Sequence, residues 1–232
     1  MRIPKSKIEA GFTLIEIAIV LVIIGLLLGA VQKGQELINS GKAKAVMADF
    51  RNTATMLSAF QDRFRAVPGD DAQAANHLAG ATTAASASGQ TPGNGNIEGL
   101  WSSTSASDES VILWQHLRLA NLAPGDTTAP ASVSDLNSWL PRNQEGGRIG
   151  VQSTPLISNW SGRQFICQDN ISGRIAQQVD SNMDDGAPST GSIRFGAMNG
   201  NNLSPTSVAN GASSSVSGSF NESSSYVVCM SF

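Results

Sequence analysis

Gly11-Phe12-Thr13-Leu14-Ile15-Glu16 joins a short charged leader to a long apolar run and places one carboxylate just inside that run. Of the twenty residues from Phe12 to Val31 only Thr13 and Glu16 are plainly polar, and a helix of that length crosses a hydrocarbon layer of about 30 Å. A carboxylate in hydrocarbon is costly and calls for a partner or a function. If the chain is cut after Gly11, Phe12 gains a free α-amino group four residues ahead of Glu16. Within one helix that geometry is poor, because the first residue frays. Between neighbouring helices staggered along a shared axis, the amine of one copy meets the acid of another, and two costly charges are neutralised only on assembly. Glu16 is therefore a candidate assembly and register residue.

Two other readings compete for the same stretch. In a secretory signal peptide Arg2, Lys5 and Lys7 would form the basic region. Such a peptide has an apolar core of about 7–15 residues leading to a small-residue cut site, whereas this run is longer, holds Glu16 and starts directly after the charges. The other reading is a plain single-span anchor in which Glu16 snorkels to the interface.

Lys7-Ile8-Glu9-Ala10-Gly11-Phe12-Thr13-Leu14-Ile15-Glu16 resembles the class III leader junction of type IV prepilins and pseudopilins. The resemblance covers about the first thirty residues and implies that a prepilin peptidase cuts between Gly11 and Phe12 and methylates the new amine of Phe12. It also implies that Glu16, fifth in the mature chain, is the assembly glutamate. An eleven-residue leader and a mature Phe are more similar to the type IVa group than to type IVb. Relatives often carry a helix-kinking proline about twenty residues into the mature chain. No Pro stands between Phe12 and Val67 here, and Gly25, Gly29 and Gly34 are expected to soften the helix instead.

The formal charge is −3, and removal of Met1–Gly11 takes away three cations and one anion, leaving −5. A mildly acidic chain argues against broad nucleic-acid binding. Lysines flank the span on both sides, so the positive-inside rule barely orients it. The cleavage motif, which requires a cytoplasmic leader, places the C-terminal part outside the cytoplasm. Cys167 and Cys229 are the only cysteines, and in an oxidising compartment they are most simply a disulfide, two free buried thiols being the alternative. In the resembling family such a disulfide bounds the C-terminal region.

Val46, Phe50, Leu57, Phe60, Phe64 and Val67 repeat at helical spacing, which predicts one nearly continuous helix from Phe12 to about Ala66, ending before Pro68-Gly69, with two helices broken at Gly34 or Gly41 as the alternative. The expected divisions are leader 1–11, transmembrane or filament-core helix 12–31, amphipathic continuation 32–67 and globular head 68–232. The Ala/Gly/Ser/Thr/Asn-rich stretch from Ala72 to Ser107 reads largely as surface loop. Ser107 or Asp108 is expected to cap a helix through Leu122, and Ser172 another to Met183. Strands are expected at Arg148–Gln152, Gln164–Gln168, Ser192–Ala197 and Tyr226–Phe232. The expected fold class is α+β: a long N-terminal helix packed on a small antiparallel sheet, pilin-like.

Asp180, Asn182, Asp184 and Asp185, followed by Gly186, set hard oxygen donors at alternating positions like a calcium loop. The glycine falls one place late for the EF-hand pattern and no closing acid follows, so no metal is assigned; the competing reading is a helix ending in a polar turn. No catalytic site is assigned, since His77 and His116 stand apart and no nucleophile motif singles out a serine.

The resulting expectation is a structural pilin, not an enzyme and without a cofactor, held first in the bacterial inner membrane and then in a periplasmic or cell-surface filament. Its expected partners are further copies of itself, related minor subunits, the prepilin peptidase, the inner-membrane assembly machinery and the membrane. A pseudopilin of type II secretion and a membrane-anchored binding module are the alternatives.

Overall fold

The computed structural model describes residues 13–84, 90–130, 132–205 and 220–232. Ten elements follow in the order α1 (Leu14–Phe64), α2 (Ala74–His77), α3 (Glu109–Leu119), α4 (Val133–Trp139), β1 (Ile149–Gln152), β2 (Phe165–Ser172), α5 (Gly173–Met183), β3 (Ile193–Asn199), β4 (Asn202–Pro205) and β5 (Ser225–Ser231). The chain divides into two units, Met1–Asn39 and Ser40–Phe232. The architecture is α+β, a long N-terminal helix with a small antiparallel sheet.

Helix α1 is helical at every residue through Gly25, Gly29, Gly34 and Gly41, so the softening expected at the glycines is not seen. Glycine weakens a helix but keeps its N–H, and without proline no hydrogen bond in the ladder has to be lost. In the first unit every large apolar side chain from Leu14 to Val31 is exposed. In the second unit α1 turns Ala43, Val46, Met47, Phe50, Thr53, Leu57 and Phe60 inward, one face at helical spacing. It stops at Arg65, whose φ of 56° is left-handed and whose N–H still reaches the Gln61 carbonyl at 2.8 Å.

The five strands run antiparallel in the order β1-β2-β5-β3-β4. Side chains alternate between two faces. Ile166, Ile171, Phe195, Tyr226 and Val228 join the α1 face and α3 residues Val111, Leu113, Trp114 and Leu117 in the main core. Phe165, Cys167, Leu203, Val227 and Cys229 form a second cluster with Trp101, Leu156 and Trp160 on the opposite side. Gln168 reaches across the main core, its Nε2 donating to the Val46 carbonyl at 3.0 Å.

The segment Ala72–Ser107 is less of a surface loop than its composition suggests. Ile97 and Trp101 are buried in the two clusters, and backbone N–H groups are tied to buried carboxylates: Gly93 (2.5 Å), Asn94 (3.1 Å) and Gly95 (2.6 Å) to Asp70, and Glu98 to Glu109 (2.8 Å). Hydrogen bonds to charged acceptors replace the missing apolar burial. Asp108 and Ser172 do sit at the N-caps of α3 and α5, but neither side chain caps its helix. Asp108 is engaged by Gln90 and Ser103 instead. Helix α3 ends at Leu119, before the expected Leu122, because Asn121 enters the left-handed region at φ 57°.

Candidate functional site

Two groups of residues concern function, one at the start of α1 and one at the end of α5. Gly11 and Phe12, the expected processing pair, lie outside the described residues. Thr13 and Glu16 form a reciprocal cap: the Glu16 carboxylate accepts from the Thr13 N–H at 2.8 Å and from the Thr13 hydroxyl at 2.7 Å. The Thr13 hydroxyl oxygen in turn receives the Glu16 N–H at 3.3 Å. A Thr-x-x-Glu capping box satisfies amides at a helix start that have no partner in the helix. In the single chain Glu16 is therefore held by its own helix. The pattern was legible in the sequence, although a reading centred on a partner copy passes over it.

Glu16 is also the only ionisable side chain between Phe12 and Val31, on a stretch of helix long and apolar enough to cross a membrane and with its large apolar side chains from Leu14 to Val31 exposed. Such a surface requires lipid or other apolar helices.

In the second unit Cys167 and Cys229 are directly opposed in the β2·β5 register and are joined as a disulfide. The pair faces the smaller cluster, so the bridge fastens the chain's last strand to the strand that precedes α5.

Of the four donors in the calcium-like pattern, the structure gathers Asp180, Asp184 and Asp185, with one donor oxygen from each within 4.8 Å of the others. Asn182 is elsewhere, its amide donating to the Gln178 carbonyl at 2.7 Å. The alternating pattern presupposed a loop, whereas α5 continues to Met183, so residues 180 and 184 share a face and residue 182 does not. The Asp180 carboxylate is fully buried, and neither oxygen has a hydrogen-bond partner among the described residues. Burial pushes its carboxyl up to about 7, and Asp185 and Asp184 add repulsion; the Gly186 amide opposes the shift without completing a bond of ordinary geometry.

The two histidines have different hydrogen-bond partners. His116 is buried, accepting the Gly69 N–H on Nδ1 at 3.0 Å and donating from Nε2 to the Thr82 carbonyl at 2.8 Å, which fixes the neutral tautomer. His77 pairs with buried Asp71 at 2.7 Å.

No curated protein and no solved structure matches the chain. Residues 6–31 match the family model described as the prokaryotic N-terminal methylation motif. On an α+β architecture with a long N-terminal helix, the chain thus carries the signature of type IV pilins and pseudopilins.

Proposed function

We propose that the protein is a structural subunit of a type IV pilus-like filament, divided into leader 1–11, filament-core helix 12–31, continuation 32–67 and head 68–232. A prepilin peptidase cuts between Gly11 and Phe12 and methylates Phe12, and Glu16 then pairs with the new amino terminus of a neighbouring copy. The observation that carries this reading is the one carboxylate on an otherwise apolar helix surface that the protein itself leaves uncovered. The capping box adds a step. Glu16 has a local partner in the free subunit, so the chain can wait in the inner membrane with the acid satisfied and exchange the Thr13 contact for a neighbour's amine when it joins the filament.

The disulfide between β5 and β2 supports the pilus reading, while the acidic loop after α5 supports the short periplasmic pseudopilus of type II secretion, which shares the same junction. Related minor subunits and the inner-membrane assembly machinery are the remaining partners this reading requires.

Changing Glu16 to Leu tests the proposal. The variant is expected to insert in the membrane and lose its leader like the parent, while disappearing from sheared filaments. Full incorporation of Glu16→Leu overturns the assembly role. A membrane-anchored binding module predicts no filament at all, with either residue in place.

A further inference from the structure

The unit Ser40–Phe232 holds a cavity of about 450 Å³ between α1, α3 and the segments on either side of α4. That volume is in the range of sites for small organic ligands. From α1 it is lined by Asp49, Asn52, Thr53 and Met56, at positions i, i+3, i+4 and i+7 on one side of the helix. Trp114 and Arg118, one turn apart on α3, line it from the second helix. Pro124, Pro141 and Ile149 add apolar surface, and Arg142 adds a second guanidinium. A mostly apolar wall with a few charged groups is the pattern of a ligand pocket.

The charges of this cavity do not meet. Asp49 is half-buried, and its carboxylate takes part in no ion pair and no hydrogen bond among the described residues. The Thr53 hydroxyl beside it donates to the Asp49 backbone carbonyl at 2.8 Å instead. Arg118 donates to the carbonyls of Pro124 at 3.0 Å, Asp126 at 3.1 Å and Trp139 at 2.7 Å, and its guanidinium lies 4.1 Å from the centre of the Trp139 ring. Arg142, an exposed residue, donates to the carbonyls of Gly146 at 2.6 Å and Asn137 at 3.1 Å. A guanidinium has five N–H groups, so both arginines keep donors, and neither has a carboxylate partner among the described residues. Trp114 is buried too, and its Nε1 lacks a partner among the described residues, although an indole N–H inside a protein usually has one.

A partly buried carboxylate without a partner is destabilising, and a cation from outside the chain offsets that cost. A ligand that is only a cation meets two guanidiniums in the same cavity, and one that is only an anion meets Asp49. A molecule with both charges suits both.

We propose that this cavity binds a small zwitterion with an apolar arm, of the α-amino acid class. Its ammonium pairs with Asp49, its carboxylate takes the free N–H groups of Arg142, and its side chain lies against Met56, Trp114, Pro141 and Ile149. Arg118, tied to three carbonyls, holds the two flanking segments in place. The site lies within one unit and does not rest on the filament reading.

Met56 supplies the readout. The full chain in detergent, with isotope-labelled methionine methyl groups, is titrated with L-leucine and L-phenylalanine, and the Met56 signal is assigned from Met56→Leu. At least one of the two amino acids is expected to move the Met56 methyl resonance saturably, half-way at roughly 0.1–1 mM for a ligand of about ten non-hydrogen atoms. The signal of Met183, outside the cavity, should stay in place. L-leucinamide, which lacks the carboxylate, and isocaproate, which is leucine without its amine, should each bind about tenfold more weakly or worse than leucine. Asp49→Asn should abolish the preference for leucine over isocaproate, and Arg142→Gln the preference over leucinamide. The Arg142 variant leaves α1 untouched, so it carries the test even if Asp49→Asn disturbs the helix. No saturable shift with either amino acid overturns the site, and so do analogue preferences that persist unchanged in both variants.

Discussion

Glu109 opens α3 as a fully buried acid, with one carboxylate oxygen accepting the Glu98 N–H at 2.8 Å and the other without a partner among the described residues. Burial pushes its carboxyl up to about 7 against the Glu98 amide, and Asp70, Glu98 and Asp108 add repulsion. A folded-state value above the ordinary 4.5 means that the folded chain holds this proton more tightly than the unfolded one. The stability it contributes is complete below about pH 4.5 and is lost as pH rises through about 7. His116 works the other way. Burial lowers its pKa, so its contribution is present above the usual histidine value and fades as pH falls. The prediction is therefore a difference between two proteins. Thermal melts of the full chain in detergent at pH 5 and pH 8 should show Glu109→Gln gaining on the parent at pH 8 by on the order of 1–3 kcal/mol relative to pH 5. Parallel pH curves for the two proteins would show that Glu109 is ionised throughout. Nothing in the sequence marked Glu109 or Asp70 as buried, because the amides that hold them come from a glycine- and asparagine-rich segment whose path is set by those same acids.

At the level of elements, segments that bury several apolar side chains were readable and segments that bury only one were not. The face of α1, the body of α5 and four strands follow from residues such as Phe50, Ile175, Val151 and Val228, which bury large apolar groups at a regular spacing. Helix α2, helix α4 and strand β4 were missed: each spans only four to seven residues. Only a few side chains anchor them, such as Ala74, Leu136 and Leu203. One buried anchor leaves no periodicity to read, and the structure of such a segment comes from what it packs against. Two predictions belong here. Phe50→Ala empties the fully buried centre of the α1 face and should cost about 3–5 kcal/mol, seen as a lower melting temperature. Replacing both Cys167 and Cys229 by Ser releases a closure spanning 62 positions and should cost about 2–5 kcal/mol. For a head of this size that corresponds to a drop of roughly 5–15 °C in melting temperature. An unchanged melting temperature in the double variant would mean that the sheet register alone holds β5 in place.

For the whole molecule, the unit Ser40–Phe232 buries a core to which α1 contributes residues from Ala43 to Phe60, while the start of α1 leaves its large apolar side chains exposed. That contrast is what a subunit needs if it waits in lipid and is later covered by copies of itself. The sequence displayed it directly, since twenty residues carrying one acid need no tertiary context to interpret. The Thr-x-x-Glu cap, which gives Glu16 a partner before any neighbour arrives, was also legible at Thr13 and Glu16, whereas the membership of the aspartate cluster was not, because an alternating loop pattern groups Asn182 with the aspartates and the helical end of α5 does not. The most direct measurement is mass spectrometry of the N-terminal peptide from fibres sheared off cells that express this chain. The account predicts a peptide beginning at N-methylated Phe12. Fibres whose subunits retain Met1, or begin at any other residue, would contradict it.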